Sequence, residues 1–164
     1  MRNVEIRQAT LEDLDLLVRW RMVVLREVFG IPDDESTDAL EAENRRYYER
    51  ALAAASHIAC FAVSGHEVVG CGGICLQEEL PSPDNPSGKC AYLMNIYASP
   101  SCRKQGVGAA IVSWLIEQAR QRGIGKIYLE TSQAGRPLYE KLGFADLPDM
   151  MKLTPERSAD PASR

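Results

Sequence analysis

The chain has 164 residues, 45% hydrophobic and 26% charged, which suits one globular domain with its own core and excludes a disordered chain. Nineteen Lys and Arg against 23 Asp and Glu leave a net charge of −4, the wrong sign for a dedicated nucleic-acid binder. No apolar run reaches the roughly 18–20 residues that span a bilayer, and residues 1–7 lack the apolar stretch of a signal peptide, so a cytoplasmic chain without membrane partners is expected.

Residues 4–8 alternate enough for a short first strand. Thr10 with Asp13 three positions on is an N-cap signature that opens a helix. Leu11, Leu14, Val18, Met22, Leu25 and Phe29 form its apolar stripe, closed by Gly30, Ile31 and Pro32. After an acidic linker, Ser36 or Thr37 caps a second helix whose Leu40, Tyr47, Ala51, Leu52 and Ala55 face a core. Residues 57–64 and 67–76 are β-prone runs joined at Gly65 and His66, a hairpin signal. Residues 81–88 hold three prolines and read as loop, and 90–98 form a strand ending before Pro100. The next helix carries the cleanest helical period of the chain, in Val107, Ala110, Ile111, Trp114, Leu115 and Ala119, with Gly123 as its C-cap. Residues 127–131 read as a strand, 137–142 as a short helix stopped by Gly143, and 145–153 as a sixth strand. Nothing divides the chain, so residues 1–154 are expected to form one α/β domain, with 155–164 a fraying polar tail.

Five cysteines, Cys60, Cys71, Cys75, Cys90 and Cys102, include no Cys-x-x-Cys pair. Cys71 and Cys75 share a strand face, but His57 and His66 lack the spacing to complete a zinc site. The thiols read as small apolar residues, and no metal is expected.

The chemistry concentrates in the strand, turn and helix start from Tyr97 to Ala109. A helix start exposes about four unpaired N–H groups and the positive end of a dipole. Gly106 and Gly108 carry no Cβ, so a phosphate can approach the backbone, and Arg103 and Lys104 add positive charge. The plainer alternative is that the glycines only permit a tight turn. A P-loop is excluded, because no Gly-x4-Gly-Lys-Ser/Thr occurs. A dinucleotide fingerprint would need a third glycine where Ile111 stands, although Glu130 lies near the spacing of a ribose-binding acid. A nucleotide-dependent oxidoreductase is therefore remote.

These residues resemble the GNAT family of N-acetyltransferases. Its acyl-coenzyme-A loop, Arg/Gln-x-x-Gly-x-Gly/Ala, is matched by Arg103, Gly106 and Gly108, and its Leu-Tyr-Glu-Lys-x-Gly-Phe run by residues 138–144. The resemblance implies a mixed, mainly antiparallel sheet of about six strands flanked by about four helices, with a splayed strand pair at the cofactor site. It implies that the amides of Arg103, Lys104, Gln105, Gly106, Val107, Gly108 and Ala109 wrap the pyrophosphate of acetyl-CoA. Ile96 and Ala98 would lie beside the pantetheine arm. Tyr139 matches the tyrosine whose hydroxyl commonly lies near the thioester sulfur, where a phenol of pKa about 10 can protonate a departing thiolate of about 8.5, the alternative being a tyrosine that packs the short helix. Ser132 replaces the asparagine that many relatives place seven residues before this tyrosine, and so departs from the pattern.

The implied function is transfer of an acetyl group from acetyl-CoA to a primary amine of a small molecule, peptide or protein. The alternative is a catalytically weak acyl-CoA-binding regulatory domain. Glu27 and Glu130 are candidate bases or acceptor contacts, and Asn95 and Tyr97 alternate with Ile96 and Ala98 along one strand. Residues 31–50 carry seven acids and three bases, whereas 89–141 carry eight bases and three acids. That asymmetry suits an anionic cofactor in the second half and a cationic acceptor near the first, or only a solvated acidic face. Arg21 and Arg26 could equally bind a carboxylate on an amino-acid-like acceptor. The oligomeric state stays open, a homodimer being one option.

Overall fold

The computed structural model describes residues 3–155. Its first strand, β1 (Glu5–Gln8), leads into the Thr10 cap. Thr10 Oγ1 accepts from the Glu12 amide at 3.3 Å, and Asp13 returns the bond by accepting from the Thr10 amide at 2.9 Å. A short 3-10 turn (Leu11–Asp13) then opens α1 (Leu14–Phe29), which Gly30 ends in the left-handed conformation at φ 62°. α2 (Asp38–Ala53) follows, and β2 (His57–Ser64) turns at Gly65, φ 64°, into β3 (Glu67–Glu78). β4 (Lys89–Ala98), α3 (Val107–Gln121), β5 (Lys126–Leu129) and α4 (Arg136–Lys141) complete the described order.

The sheet runs β1-β2-β3-β4-β5, antiparallel except for the parallel β4–β5 pair. α3 covers one face, where Ile111, Leu115, Ile74 and Leu93 are fully or almost fully buried. Truncating Ile111 or Leu115 to alanine would cost about 2–5 kcal/mol. α3 lies against bare backbone: a Cβ at Gly72 would collide with the Ile111 side chain. The other face packs Phe61, Ala59 and Cys71 against Leu17 and Val18 of α1 and Tyr48 of α2.

Two features of β4 position the site. First, it pairs with β5 only from Cys90 to Leu93, so residues 94–98 have no neighbour on that side among the described residues. β5 ends at Leu129, and the β4 edge beyond Leu93 is open where the resemblance implies a splayed pair. Second, between the Gly73–Met94 and Cys71–Tyr97 pairs, β4 carries two residues opposite one of β3. This bulge holds Asn95 at φ 59°, a left-handed conformation that asparagine tolerates better than most residues.

The sheet has five strands among the described residues, not six. Residues 145–153 form no strand: Pro148 cannot donate to a ladder and sits in a turn with Asp149, while Met151 and Leu153 are almost fully exposed. The helical stripes fray at their ends, for Leu11, Phe29 and Leu40 are exposed. Ala55 is also exposed, at φ 52° beyond the end of α2, and Tyr48 takes the core place expected of Tyr47. No cysteine forms a disulfide, and only Cys75 is less than buried. The tail expected to fray lies outside the described residues after Pro155.

Candidate active site

After β4 the chain makes a short 3-10 turn (Pro100–Cys102) and reaches Gly106, the N-cap of α3, at φ 87°. Lys104 also adopts positive φ, 58°. From Lys104 to Ala109 no amide donates to a protein acceptor among the described residues; the first to do so is Ala110, to Gly106 O at 3.0 Å. These N–H groups lie at the positive end of α3, beside the unpaired half of β4. Val107 is buried in the core and anchors the loop. Gln105 Nε2 donates to Ser101 O at 2.8 Å and braces it. A Cβ at Gly108 would lie 3.2 Å from Leu138 Cδ2, so α4 closes over the start of α3.

The loop arginine is held from the first half of the chain. Arg103 Nη2 donates to Glu27 Oε1, its Nε donates to Ala98 O at 3.2 Å, and its guanidinium stacks 5.4 Å over the Tyr97 ring. Tyr97 OH donates to the other Glu27 oxygen at 2.6 Å. These donors hold the Glu27 carboxyl below the usual range, which makes it a poor base.

The remaining candidates separate by face. Ile96 and Ala98 pack on the α3 side, and Asn95 faces Arg21 on the α1 side. Glu130 is exposed just beyond β5, where its carboxylate and, more strongly, burial raise the pKa of Tyr92. Ser132 Oγ accepts from the Gly135 amide at 3.3 Å, and its carbonyl accepts from the Gly135 and Arg136 amides, so it shapes the turn into α4. Tyr139 packs edge-on against Phe144 with centroids 5.8 Å apart. Its ring lines a cavity of about 350 Å³ between the outer side of β5, α4 and residues 143–147, and burial raises its pKa.

Residues 24–144 match the Acetyltransferase (GNAT) family. The chain belongs to that family. This GNAT domain is 30% identical over 86 residues to glucosamine 6-phosphate N-acetyltransferase of Trypanosoma brucei brucei, covering 52% of this chain and 56% of that one. It is 39% identical over 57 residues to the [ribosomal protein bS18]-alanine N-acetyltransferase of Escherichia coli K12, covering 33% and 38% of the two chains. The matched part thus spans little more than half of the first relative and less of the second. A predicted acetyltransferase of Clostridium acetobutylicum, crystallised with acetyl-CoA, superposes with TM-score 0.82 at 29% identity over 93% of this chain and 96% of the other.

The GNAT domain also carries a polar cluster that its motifs do not signal. Tyr47 OH lies 3.0 Å from His57 Nδ1 and 2.8 Å from Cys75 Sγ. Burial pushes the His57 pKa down to about 4 and raises those of Tyr47 and Cys75, so all three are neutral at pH 7. Helix α2 and strands β2 and β3 bring them together from 28 positions of sequence, and no local pattern reveals such a contact. No described cluster of His, Cys, Asp or Glu could hold a metal, and no described helix is long and apolar enough to cross a membrane.

Proposed function

We propose that this GNAT domain transfers the acetyl group of acetyl-CoA directly to a primary amine of a small molecule, peptide or protein. The observation that carries the reading is the row of amides from Lys104 to Ala109, without protein acceptors and beside the unpaired half of β4. Those amides suit the pyrophosphate of the donor, and the free edge at residues 94–98 suits its extended amide-bearing arm. The thioester supplies an activated acyl carbon and a thiolate leaving group.

The chain's own residues supply the rest. Tyr139, a phenol protonated at neutral pH whose pKa burial raises further, is the candidate acid for the departing thiolate. Glu130, exposed beside Tyr92 at the mouth of the splay, is a better base candidate than Glu27, which Tyr97 and Arg103 occupy. The amine nitrogen then bonds to the acyl carbon, the C–S bond breaks, and the proton shed by nitrogen leaves through base and solvent. The two named relatives act on an amino sugar phosphate and on a protein alanine, which spans the acceptor classes open to this reading.

Calorimetric titration with acetyl-CoA, with coenzyme A and NAD alongside, tests the proposal. Selective binding of the thioester at micromolar concentration is expected. Absence of binding reduces the loop to a turn, and binding without transfer to any amine points to the regulatory alternative.

A further inference from the structure

On the α1 side of the β4 bulge lies a cavity of about 210 Å³. Drug-sized pockets begin at about 300 Å³, so this one is sized for a small acceptor. Tyr47, Tyr48 and Met94 contribute most of its apolar wall, and Arg21, Asn44 and Asn95 its polar side. Arg21 Nε donates to Asn44 Oδ1 at 3.2 Å and Nη1 donates to Asn95 Oδ1 at 3.0 Å. The left-handed bulge aims Asn95 at Arg21, and α2 supplies Asn44, so two neutral amides fix the guanidinium plane.

No described carboxylate pairs with Arg21, although several other arginines of the chain have acidic partners. One hydrogen of Nη1 and both of Nη2 remain without a protein acceptor among the described residues. A half-buried guanidinium in a largely apolar pocket gains most from an anion of its own. Arg26, its rival, is committed elsewhere: it donates to Pro32 O, Glu35 O and Thr37 Oγ1 and ties down the linker after α1. The seven acids of residues 31–50 are all exposed, so they do not make this cavity a cation site.

We infer that Arg21 binds the carboxylate of the acceptor, and that the acceptor is a free α-amino acid with an apolar side chain. The inference rests on the transferase reading above. The planar fork left by Nη1 and Nη2 matches the two carboxylate oxygens, and a phosphate would call for further cations that the cavity lacks. Tyr47, Tyr48 and Met94 take the side chain. The α-amine forms the C–N bond to the acetyl carbon, the sulfur leaves with the electrons of the C–S bond, and one nitrogen proton is released. The products are an N-acetyl amino acid and coenzyme A.

The test measures coenzyme A release with L-leucine, L-methionine and L-phenylalanine, and with L-leucinamide, 3-methylbutylamine and phosphoethanolamine as controls. The amino acids are expected to exceed leucinamide and 3-methylbutylamine about 50-fold in kcat/KM, the scale of a charge-assisted pair. Arg21→Met should collapse that ratio towards one while acetyl-CoA still binds, and Arg21→Lys should restore part of it. The inference is overturned if acetyl-CoA binds yet carboxylate-free amines match leucine, if no amino acid is acetylated, or if phosphoethanolamine is preferred. Failure of the wild-type protein to bind acetyl-CoA overturns the transferase reading as well. Circular dichroism shows whether Arg21→Met folds; if it does not, the wild-type ratio and Arg21→Lys decide.

Discussion

The two sides of β4 are built from different materials. On the α3 side the proposed donor site is main chain: amides from Lys104 to Ala109, glycines at 106 and 108, and a strand edge without a neighbour among the described residues. On the α1 side the cavity is made of side chains from α1, α2, β2 and β4, with Arg21, Asn95, Tyr47 and His57 brought together by the fold. A backbone site needs residues that stay out of the way at fixed spacing in one segment. A side-chain site needs particular residues whose sequence separation is arbitrary. The first kind therefore leaves a motif and the second does not.

The most severe way to break the comparison is to fill the backbone site. Gly108→Phe should abolish detectable acetyl-CoA binding by calorimetry, because a Cβ there already lies 3.2 Å from Leu138 Cδ2 and, on the proposed reading, a ring at the helix start blocks the approach to the amides. Gly108→Ala is expected to cost less than about tenfold in Kd, or 1.4 kcal/mol, since the far end of Leu138 can shift. Equal losses in both variants would mean that packing of α4 on α3, and not access to the amides, is being read.

Tyr139→Phe probes a side chain on the donor side. A general acid contributes about 10²–10⁴-fold, so kcat should fall about 100-fold while the Kd for acetyl-CoA stays within about twofold. An unchanged kcat at saturating substrates assigns the phenol to packing against Phe144 alone.

The acceptor side can be probed through pH. His57 is 5% exposed, and burial pushes its pKa down to about 4, against about 6.5 in the unfolded chain. Its neutral form is favoured by the fold, so this stability is fully present above pH 6.5 and is lost as pH falls towards 4. Between pH 7 and pH 5 the loss should be about 2 kcal/mol, read from urea midpoints. The carboxyls held low by Arg7 and by Tyr97, on Asp13 and Glu27, add their own loss only at lower pH. His57→Gln should flatten the slope between pH 5 and 7; an unchanged slope would place the titration elsewhere.

Much of the fold was legible for the same reason as the donor loop. The Thr10–Asp13 capping box, the αL stops at Gly30 and Gly143, the hairpin at Gly65 and the α3 stripe are local devices, and each stands where residue type and spacing put it. The segment expected as a sixth strand, 145–153, does not form one, because Pro148 interrupts it and Met151 and Leu153 stay exposed. In the site, Arg103, Gly106 and Gly108 were readable as a motif. Asn95 was visible only as an alternating strand residue, because its partner Arg21 is 74 positions away and its positive φ arises from a bulge in register with β3. The choice between Arg21 and Arg26 likewise needed the contacts of the folded linker.

The smallest effect tests the ion pair that ties α1 to the loop before α3, Glu27 with Arg103. Both side chains are close to half exposed, at 43% and 45%, so the pair itself contributes under about 1 kcal/mol to stability. Its larger influence is on charge. Arg103 is paired with Glu27 and spends Nε on Ala98 O, so on the proposed reading the amides of residues 104–109 carry most of the binding to the phosphates. Glu27→Gln removes the negative charge and keeps an acceptor for Tyr97 and Arg103. Acetyl-CoA should then bind about two- to threefold more tightly at low salt, with a gain that fades as salt rises past the about 0.1 M at which the Debye length falls to 10 Å. Unchanged affinity at every salt concentration would show that Arg103 braces the loop through Ala98 and Tyr97 without facing the phosphates. Weaker binding would show that Glu27 positions Arg103 for them, and the donor site would then depend on a side chain of α1 as well as on backbone.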